Sequence, residues 1–485
     1  MIRSMIGGWT SSSQSPQFSR RKLMRCAITA AAFSAPSLRG SGRARDAEIL
    51  PFGNGGGIKM LYDARQRPQA VCLRDTVFIG FKAGASLSRS GKAKTSPMLI
   101  SYDRSSRRFS APLTLGRATS DHHHGPVIWA DQEEHLHVLF GCHKTPGTHL
   151  VAKRSADMGS DISDWTRASE IAPKLSYPTV FRIHGNRELI YYRTDGHASS
   201  WTYRISGDNG RTWSGPEDDV TDLDSRGRTE WSSYQTKLPS KDGRHLHVVF
   251  TDYDDVKSND PKRLFNERYK QPVSNAWKYN LSYIKVDLET HAVRTADGDV
   301  LNTPIDIDQA EEKARIWDTE GRGAGVPPAI ALDEKGEPTF LHVLSEGDLK
   351  THNYYYVRRE NGRWTQTAIC ESNHQWNSGH IARDRGGVLH AYVIAGEGYL
   401  DSPGVMDKHG GGRLEEWVSA DGGKGWRKHR DLMPDGKQYA GWRFNNVQPV
   451  TRPDGTAVEG MLLFYGWNAA NSPGARAFLL HETDL

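Results

Sequence analysis

Two histidines, a tyrosine and an arginine stand at the ends of two consecutive apolar hairpins. His123 precedes the strand that begins at Pro126, and His143 follows its return through Leu136-His-Val-Leu-Phe140. Tyr177 precedes the strand from Pro178, and Arg193 follows the return through Leu189-Ile-Tyr-Tyr192. An antiparallel hairpin brings its two ends to one level, so adjacent hairpins should gather all four side chains in one pocket. The set suits β-elimination from a uronic acid. That reaction needs a cation on the carboxylate, a base for the proton on the adjacent carbon, and an acid for the departing glycosidic oxygen. Arg pairs with a carboxylate through two parallel hydrogen bonds. His is neutral often enough near pH 7 to be a base, and Tyr beside Arg can serve as acid or base. His122, His374, Asn377 and Arg443 fall at similar hairpin ends and are predicted to contact substrate.

Such a pocket requires a ring of hairpins, and the sequence repeats one. A short apolar strand, an Asp/Gly turn and a second apolar strand recur from Pro68, Pro126, Pro178, Gln235, Pro328, His380 and Pro449. A four-stranded propeller blade takes about 40–50 residues plus loops. The widest gap, between Gln235 and Pro328, predicts a polar insertion around 252–278. Ser206-Gly-Asp-Asn-Gly-Arg-Thr-Trp213 and Ser419-Ala-Asp-Gly-Gly-Lys-Gly-Trp426 resemble the Asp-box hairpins of sialidase-type propellers, with weaker relatives at Ser105–Phe109 and Asn361-Gly-Arg-Trp364. Asp and Gly supply the tight turn and Trp packs behind it. No long stretch has helical periodicity. The expectation is all-β: one seven-bladed β-propeller over 46–485, with the segment near Gly57–Leu61 adding a strand to the last blade.

Asp121-His-His-His-Gly-Pro126, Gly141-Cys-His143, Tyr177-Pro178 and Tyr191-Tyr-Arg193 resemble motifs of the propeller polysaccharide lyases, a group that includes ulvan lyases and rhamnose–glucuronate lyases. His374-Gln-Trp-Asn-Ser-Gly379, Gly410-Gly-Gly-Arg-Leu-Glu-Glu-Trp417 and Trp442-Arg443 extend the likeness across most of residues 60–470. The resemblance implies His123 as base, His143 as its companion, Tyr177 as acid or base and Arg193 as carboxylate neutraliser. Two departures are visible: three histidines stand in a row, leaving open which of His122, His123 and His124 is the base, and Trp376-Asn377 replaces a Tyr-Asp common in the group.

Two other readings share this fold. A sialidase-like hydrolase would need an arginine triad, a Tyr–Glu nucleophile pair and an acid Asp, and that set does not assemble here. A non-catalytic carbohydrate-binding propeller would use the same mouth without proton chemistry. Each site residue also has a plainer role available: a metal-binding or loop tract at His122–His124, a structural His143, a stacked Tyr177, and an ion pair from Arg193 to Asp195. The proposed chemistry requires no cofactor. A structural divalent metal is conceivable at Asp252, Asp254 and Asp255, which read first as a solvated loop.

The formal charge of +5 resides in the leader. Residues 1–45 hold eight basic side chains and no acid, against 63 basic and 58 acidic in all. The rest is therefore slightly acidic, which argues against a nucleic-acid partner. Arg20-Arg21-Lys22 precedes a short apolar run ending in small residues near Ala35, resembling a bacterial twin-arginine export signal. This predicts a periplasmic or secreted protein. Cys72, Cys142 and Cys370 beyond the leader show no paired spacing and read as buried apolar residues. No apolar run reaches membrane-spanning length. The expected partner is a uronate-containing polysaccharide or oligosaccharide, bound by a monomer.

Overall fold

The computed structural model describes residues 47–482, apart from 88–92, 197–198, 222–230, 255–264, 267–270, 273–277, 349–350, 373, 397–399, 403–404, 407–408, 434–436 and 469–473. The leader and most of the 252–278 insertion lie outside the described residues.

Each hairpin read from the sequence is formed. The pairs are Ala70–Leu73 with Thr76–Leu87, Val127–Ala130 with His135–Phe140, and Leu175–Ile183 with Arg187–Arg193. Trp231–Pro239 pairs with His245–Asp254, Ala329–Leu332 with Pro338–Ser345, Gly379–Arg383 with Leu389–Ala395, and Trp442–Thr451 with Ala457–Asn468. Among the described residues, outer strands extend these hairpins into four four-stranded sheets, a seven-stranded sheet and a nine-stranded sheet, beside two small two-stranded ones. The nine-stranded sheet is joined at its middle by a single parallel contact, Val71 to Thr451. The fold is all-β and propeller-like. Among the described residues no helix is long and apolar enough to cross a membrane.

The inner strands read as continuous apolar runs because neighbouring sheets cover both faces. Val127–Ala130, an inner strand, and Pro338–Ser345, the strand paired with another, are buried throughout. One core cluster gathers Tyr177, Tyr191, Trp201, Tyr234 and Phe250 from two successive sheets, so the aromatic floor of the pocket is also the seam between them. The Asp boxes form as turn chemistry requires. Gly210 N–H donates to Ser206 Oγ (2.9 Å), Thr212 N–H to Asp208 Oδ1 (2.9 Å), and Trp213 Nε1 to Gly210 O (3.1 Å). Gly423 N–H donates to Ser419 Oγ in the second box (2.8 Å).

Two expectations are corrected. The strand that closes the ring is Ala47–Gly56, which pairs antiparallel with Ala475–Glu482, and not the segment near Gly57–Leu61. That next segment leaves the sheet: Lys59–Gln66 is buried, with Asn446 Nδ2 donating to Leu61 O (2.7 Å) and Gln66 Nε2 to Gly125 O (2.5 Å). Asp252 is no solvated loop residue. It sits buried on the His245–Asp254 strand and accepts from Asn280 Nδ2 at 3.0 Å, while Asp255 lies outside the described residues. Cys72 and Cys142 are buried, Cys370 is half-buried, and all three are free thiols.

Many of the 20 histidines belong to the blades and not to the chemistry. His137, His247, His342 and His390 recur at one position of the second hairpin strand. Burial, aided by nearby Arg322, holds His342 down to about 3, and neither ring nitrogen has a hydrogen-bond partner among the described residues. Burial and its neighbour His137 likewise hold His149 to about 3. An unfolded histidine titrates near 6.5. These groups therefore stabilise the fold fully above about pH 6.5, and that contribution is lost as pH falls towards 3. Melting temperatures followed from pH 7 to 4 should drop, and His342→Leu should show a shallower drop than the parent. An unchanged acid slope in that variant would contradict the assignment.

Candidate active site

The histidine tract folds as a single 3-10 turn, His122–His124, capped by Asp121. Asp121 Oδ1 accepts from His123 N–H at 2.9 Å, satisfying one of the turn's free donors. The same carboxylate then binds two rings: His123 Nδ1 lies 2.6 Å from Oδ1 and His143 Nδ1 lies 2.7 Å from Oδ2. Burial opposes ionisation of Asp121, but these two hydrogen bonds outweigh it and hold the carboxyl far below its usual range. The His123 and His143 rings stack at 4.0 Å between centroids. With Nδ1 tied to Asp121, each imidazole is fixed in one orientation, leaving Nε2 for other partners. Burial holds His123 down to about 3 in spite of Asp121, so it is neutral throughout the physiological range.

Tyr177 completes the aromatic wall. Its ring centroid is 5.5 Å from His123 and 5.6 Å from Tyr234. The chain reaches this position through strain: Tyr177 has φ of 56°, and the pairing shifts register between Ser176 and Thr179. A non-glycine residue in that region costs about 1–3 kcal/mol and persists where its surroundings enforce it. Tyr177 donates a hydrogen bond to Tyr234, and the two phenols diverge. Burial and its neighbour Tyr234 push Tyr177 up, whereas Arg193 and Arg65 overcome burial and bring Tyr234 below the ordinary phenol value.

Arg193 is completely buried, with its guanidinium carbon 4.7 Å from the Tyr177 ring centroid and 5.0 Å from that of Tyr234. Among the described residues no carboxylate lies within ion-pair distance of it. Asp195, the acid adjacent in sequence, is taken by Lys174 Nζ at 2.5 Å. A buried cation facing aromatic rings without a counter-charge carries an uncompensated charge that a carboxylate would neutralise.

The structure therefore brings His123, His143, Tyr177 and Arg193 together, with His122 beside them at 4.1 Å from the His123 ring. The other three expected contacts are placed differently. Asn377 is completely buried and its amide is consumed: Nδ2 donates to Ser372 O, Ser372 Oγ, Ile394 O and Gly396 O, and Oδ1 accepts from Gly411 N–H. His374 is buried, and its Nδ1 accepts from Trp376 N–H at 3.0 Å. Arg443 is half-buried on the strand Trp442–Thr451, close enough to help depress His374.

Sequence reasoning missed a second group, carried by the buried Lys59–Gln66 segment. Arg65 grips Asp63 through Nε (2.7 Å) and Nη2 (2.5 Å), and its guanidinium lies 5.0 Å from the ring centroids of both Tyr177 and Tyr234. Tyr62 packs 5.6 Å from His123 and 6.0 Å from Tyr177. Lys59 and Lys278 each lie 4.7 Å from the Trp376 ring. Arg193 and Lys59 thus add positive charge to a site lined with rings, which suits an anionic sugar, while burial pushes the Lys278 amine well below its usual value. Asp121, His122 and His123 also present three metal-ligand atoms within 4.8 Å of one another. Both Asp121 oxygens already hold imidazoles, and Lys59 adds positive charge beside His122.

Residues 92–372, more than half of the chain, match the BNR repeat-containing family. The chain belongs to that family. Among individual relatives, it is 21% identical over 395 residues to an ulvan lyase of Nonlabens ulvanivorans, covering 75% of this chain and 77% of that one. To an ulvan lyase of Alteromonas sp. (strain LOR) it is 25% identical over 302 residues, 56% of this chain and 57% of the other. A solved ulvan lyase bound to a sulfated glucuronate–rhamnose unit superposes on 90% of this chain and 96% of its own, with a TM-score of 0.68 at 16% identity. This BNR-family chain therefore shares the propeller-like fold of a polysaccharide lyase, and its matched region holds the Asp121–Arg193 pocket.

Proposed function

We propose that this protein is a polysaccharide lyase that cleaves a uronate-containing glycan by β-elimination. The observation that carries the reading is Arg193, a buried guanidinium without a carboxylate partner among the described residues, set against Tyr177 and Tyr234, with a histidine pair oriented by Asp121 beside Tyr177. The similarity to ulvan lyases supports the same substrate class.

In this mechanism Arg193 binds the uronate carboxylate bidentately and stabilises the charge that develops as the adjacent carbon is deprotonated. His123, neutral and fixed through Nδ1, takes that proton on Nε2. The electron pair of the broken C–H bond becomes a C=C bond, and the bond to the glycosidic oxygen breaks. Tyr177 keeps its proton at neutral pH and gives it to the departing oxygen; Arg193 and Arg65 then stabilise the phenolate. Proton exchange with water resets His123 and Tyr177. His143 shares Asp121 with His123 and holds the hub in place. No cofactor enters these steps.

We also read the nine-stranded sheet as two blades meeting at the Val71–Thr451 contact, which makes a seven-bladed ring, and the leader as an export signal that delivers a monomeric enzyme to the periplasm or beyond. The activity has a direct test. Incubation with uronate-containing polysaccharides should produce an unsaturated uronate absorbing in the ultraviolet, together with new reducing ends. Reducing ends without the absorbance would indicate a hydrolase, and neither would indicate a sugar-binding propeller.

A further inference from the structure

The inner hairpins have two ends, and only one of them forms the site described above. Tyr177, Arg193 and His143 lie at the open ends. At the turn ends lies a partly open cavity of about 560 Å³, lined by His184–Asn186, Ser240–Gly243 and Asp454–Ala457, which are turns of three different hairpins. Because a hairpin's turn lies opposite its open end, this cavity is on the other face of the ring from the histidine pocket.

One cation in that cavity stands out. Arg67 continues the buried segment that carries Arg65, and its backbone is fixed on both sides: its N–H donates to Pro178 O (3.2 Å) and its carbonyl accepts from Val180 N–H (3.0 Å). Its side chain lines the cavity, yet makes no hydrogen bond or ion pair with any described residue, and Nε is shut off from solvent without a partner. The nearest acid in sequence, Asp63, is already held by two bonds from Arg65. Asp242 and Asp454 also line the cavity, but Asp242 accepts from Ser240 and Arg244, and Asp454 from Thr456. His380 lines the same cavity, and burial together with Arg67 holds it neutral. Nearby, Lys237 turns its amine onto the Tyr191 and Trp201 rings. Arg67 is half-buried; a partly desolvated guanidinium without a partner is unfavourable, and its planar fork fits an oxyanion.

We propose that Arg67, in the cavity it shares with His380, forms a binding site for a small oxyanion of the sulfate class on the turn face of the ring, separate from the lyase pocket. The site stands whether or not the proposed elimination is correct.

Crystals soaked in sodium selenate test it without any variant. An anomalous peak against the Arg67 guanidinium is expected; selenate bound around Arg193 with nothing at Arg67 would overturn the proposal. A parallel soak with a sulfated monosaccharide separates free ion from sulfate ester, since sugar density beside that peak identifies the ester and its absence the free ion. In solution, Arg67→Met should melt at or above the parent temperature in sulfate-free buffer, because an apolar side chain of similar length replaces an uncompensated charge. The parent should gain more melting temperature than the variant from added sulfate at constant ionic strength. A variant that gains as much as the parent, or that is destabilised equally with and without sulfate, would show Arg67 to be structural.

Discussion

Arg193→Met should lower turnover on a uronate polymer by about 10²–10³-fold, the usual effect of losing one preorganised electrostatic stabiliser. The expectation rests on where the charge is needed. Arg193 is completely buried, no described carboxylate neutralises it, and Asp195 is engaged by Lys174. Its attraction to a bound uronate grows as the proton leaves and charge spreads onto the carboxylate. The loss should therefore appear in kcat and beyond KM alone. Methionine preserves much of the side-chain volume between Tyr177 and Tyr234, so the fold should survive. Arg193→Lys should recover only part of the rate, since a point charge cannot reproduce the planar fork. Combining Arg193→Met with His123→Ala should cost far less than the two losses together, because both residues serve one step. The competing role is structural. It predicts a lowered melting temperature with near-normal turnover per folded molecule, and melting and turnover measured on one preparation decide the matter.

The sequence exposed the four central residues because their positions follow from a rule that survives folding. Apolar runs around an Asp/Gly turn specify a hairpin, and a hairpin's ends must meet; His123 with His143, and Tyr177 with Arg193, needed nothing more. The Asp boxes were legible for a similar reason, as each turn is closed by its own Ser and Asp side chains. The remainder of the site depends on long-range placement. Tyr62, Asp63 and Arg65 lie in a segment that belongs to no repeat, and their burial comes from contacts with residues far along the chain, such as Gln448, whose Nε2 donates to Tyr62 O. Tyr234 sits one residue before the fourth repeat as read, and only the arginines around it mark it as unusual. Asn377 looked like a ligand because a polar residue at a hairpin end usually meets solvent, whereas here five hydrogen bonds consume it. Asp121 was visible in the motif, but its grip on His143 spans 22 residues and a change of strand.

Tyr177→Phe should cost about 10²–10⁴-fold in turnover, the range for losing a positioned proton donor. Phenylalanine keeps the ring between His123, Tyr234 and the Arg193 guanidinium, so packing is conserved and the missing oxygen is what the experiment reads. The pH profile distinguishes donor from spectator. Burial and the Tyr234 contact raise Tyr177, so it stays protonated and able to donate well into the alkaline range. Tyr234 is lowered by the two arginines and should ionise first. Its ionised form accepts the Tyr177 hydrogen bond more strongly and adds negative charge where the uronate must bind, so activity should fall on the alkaline side before Tyr177 itself titrates. Tyr234→Phe removes that group, and its alkaline limb should move to higher pH while a substantial part of the turnover at neutral pH remains. On the acid side His123, held to about 3, should impose no limb near 6.5. If Tyr177→Phe turned over at the parent rate, the proton would have to reach the leaving oxygen from another donor, and Tyr62, 6.0 Å away between ring centroids, would be the next residue to replace.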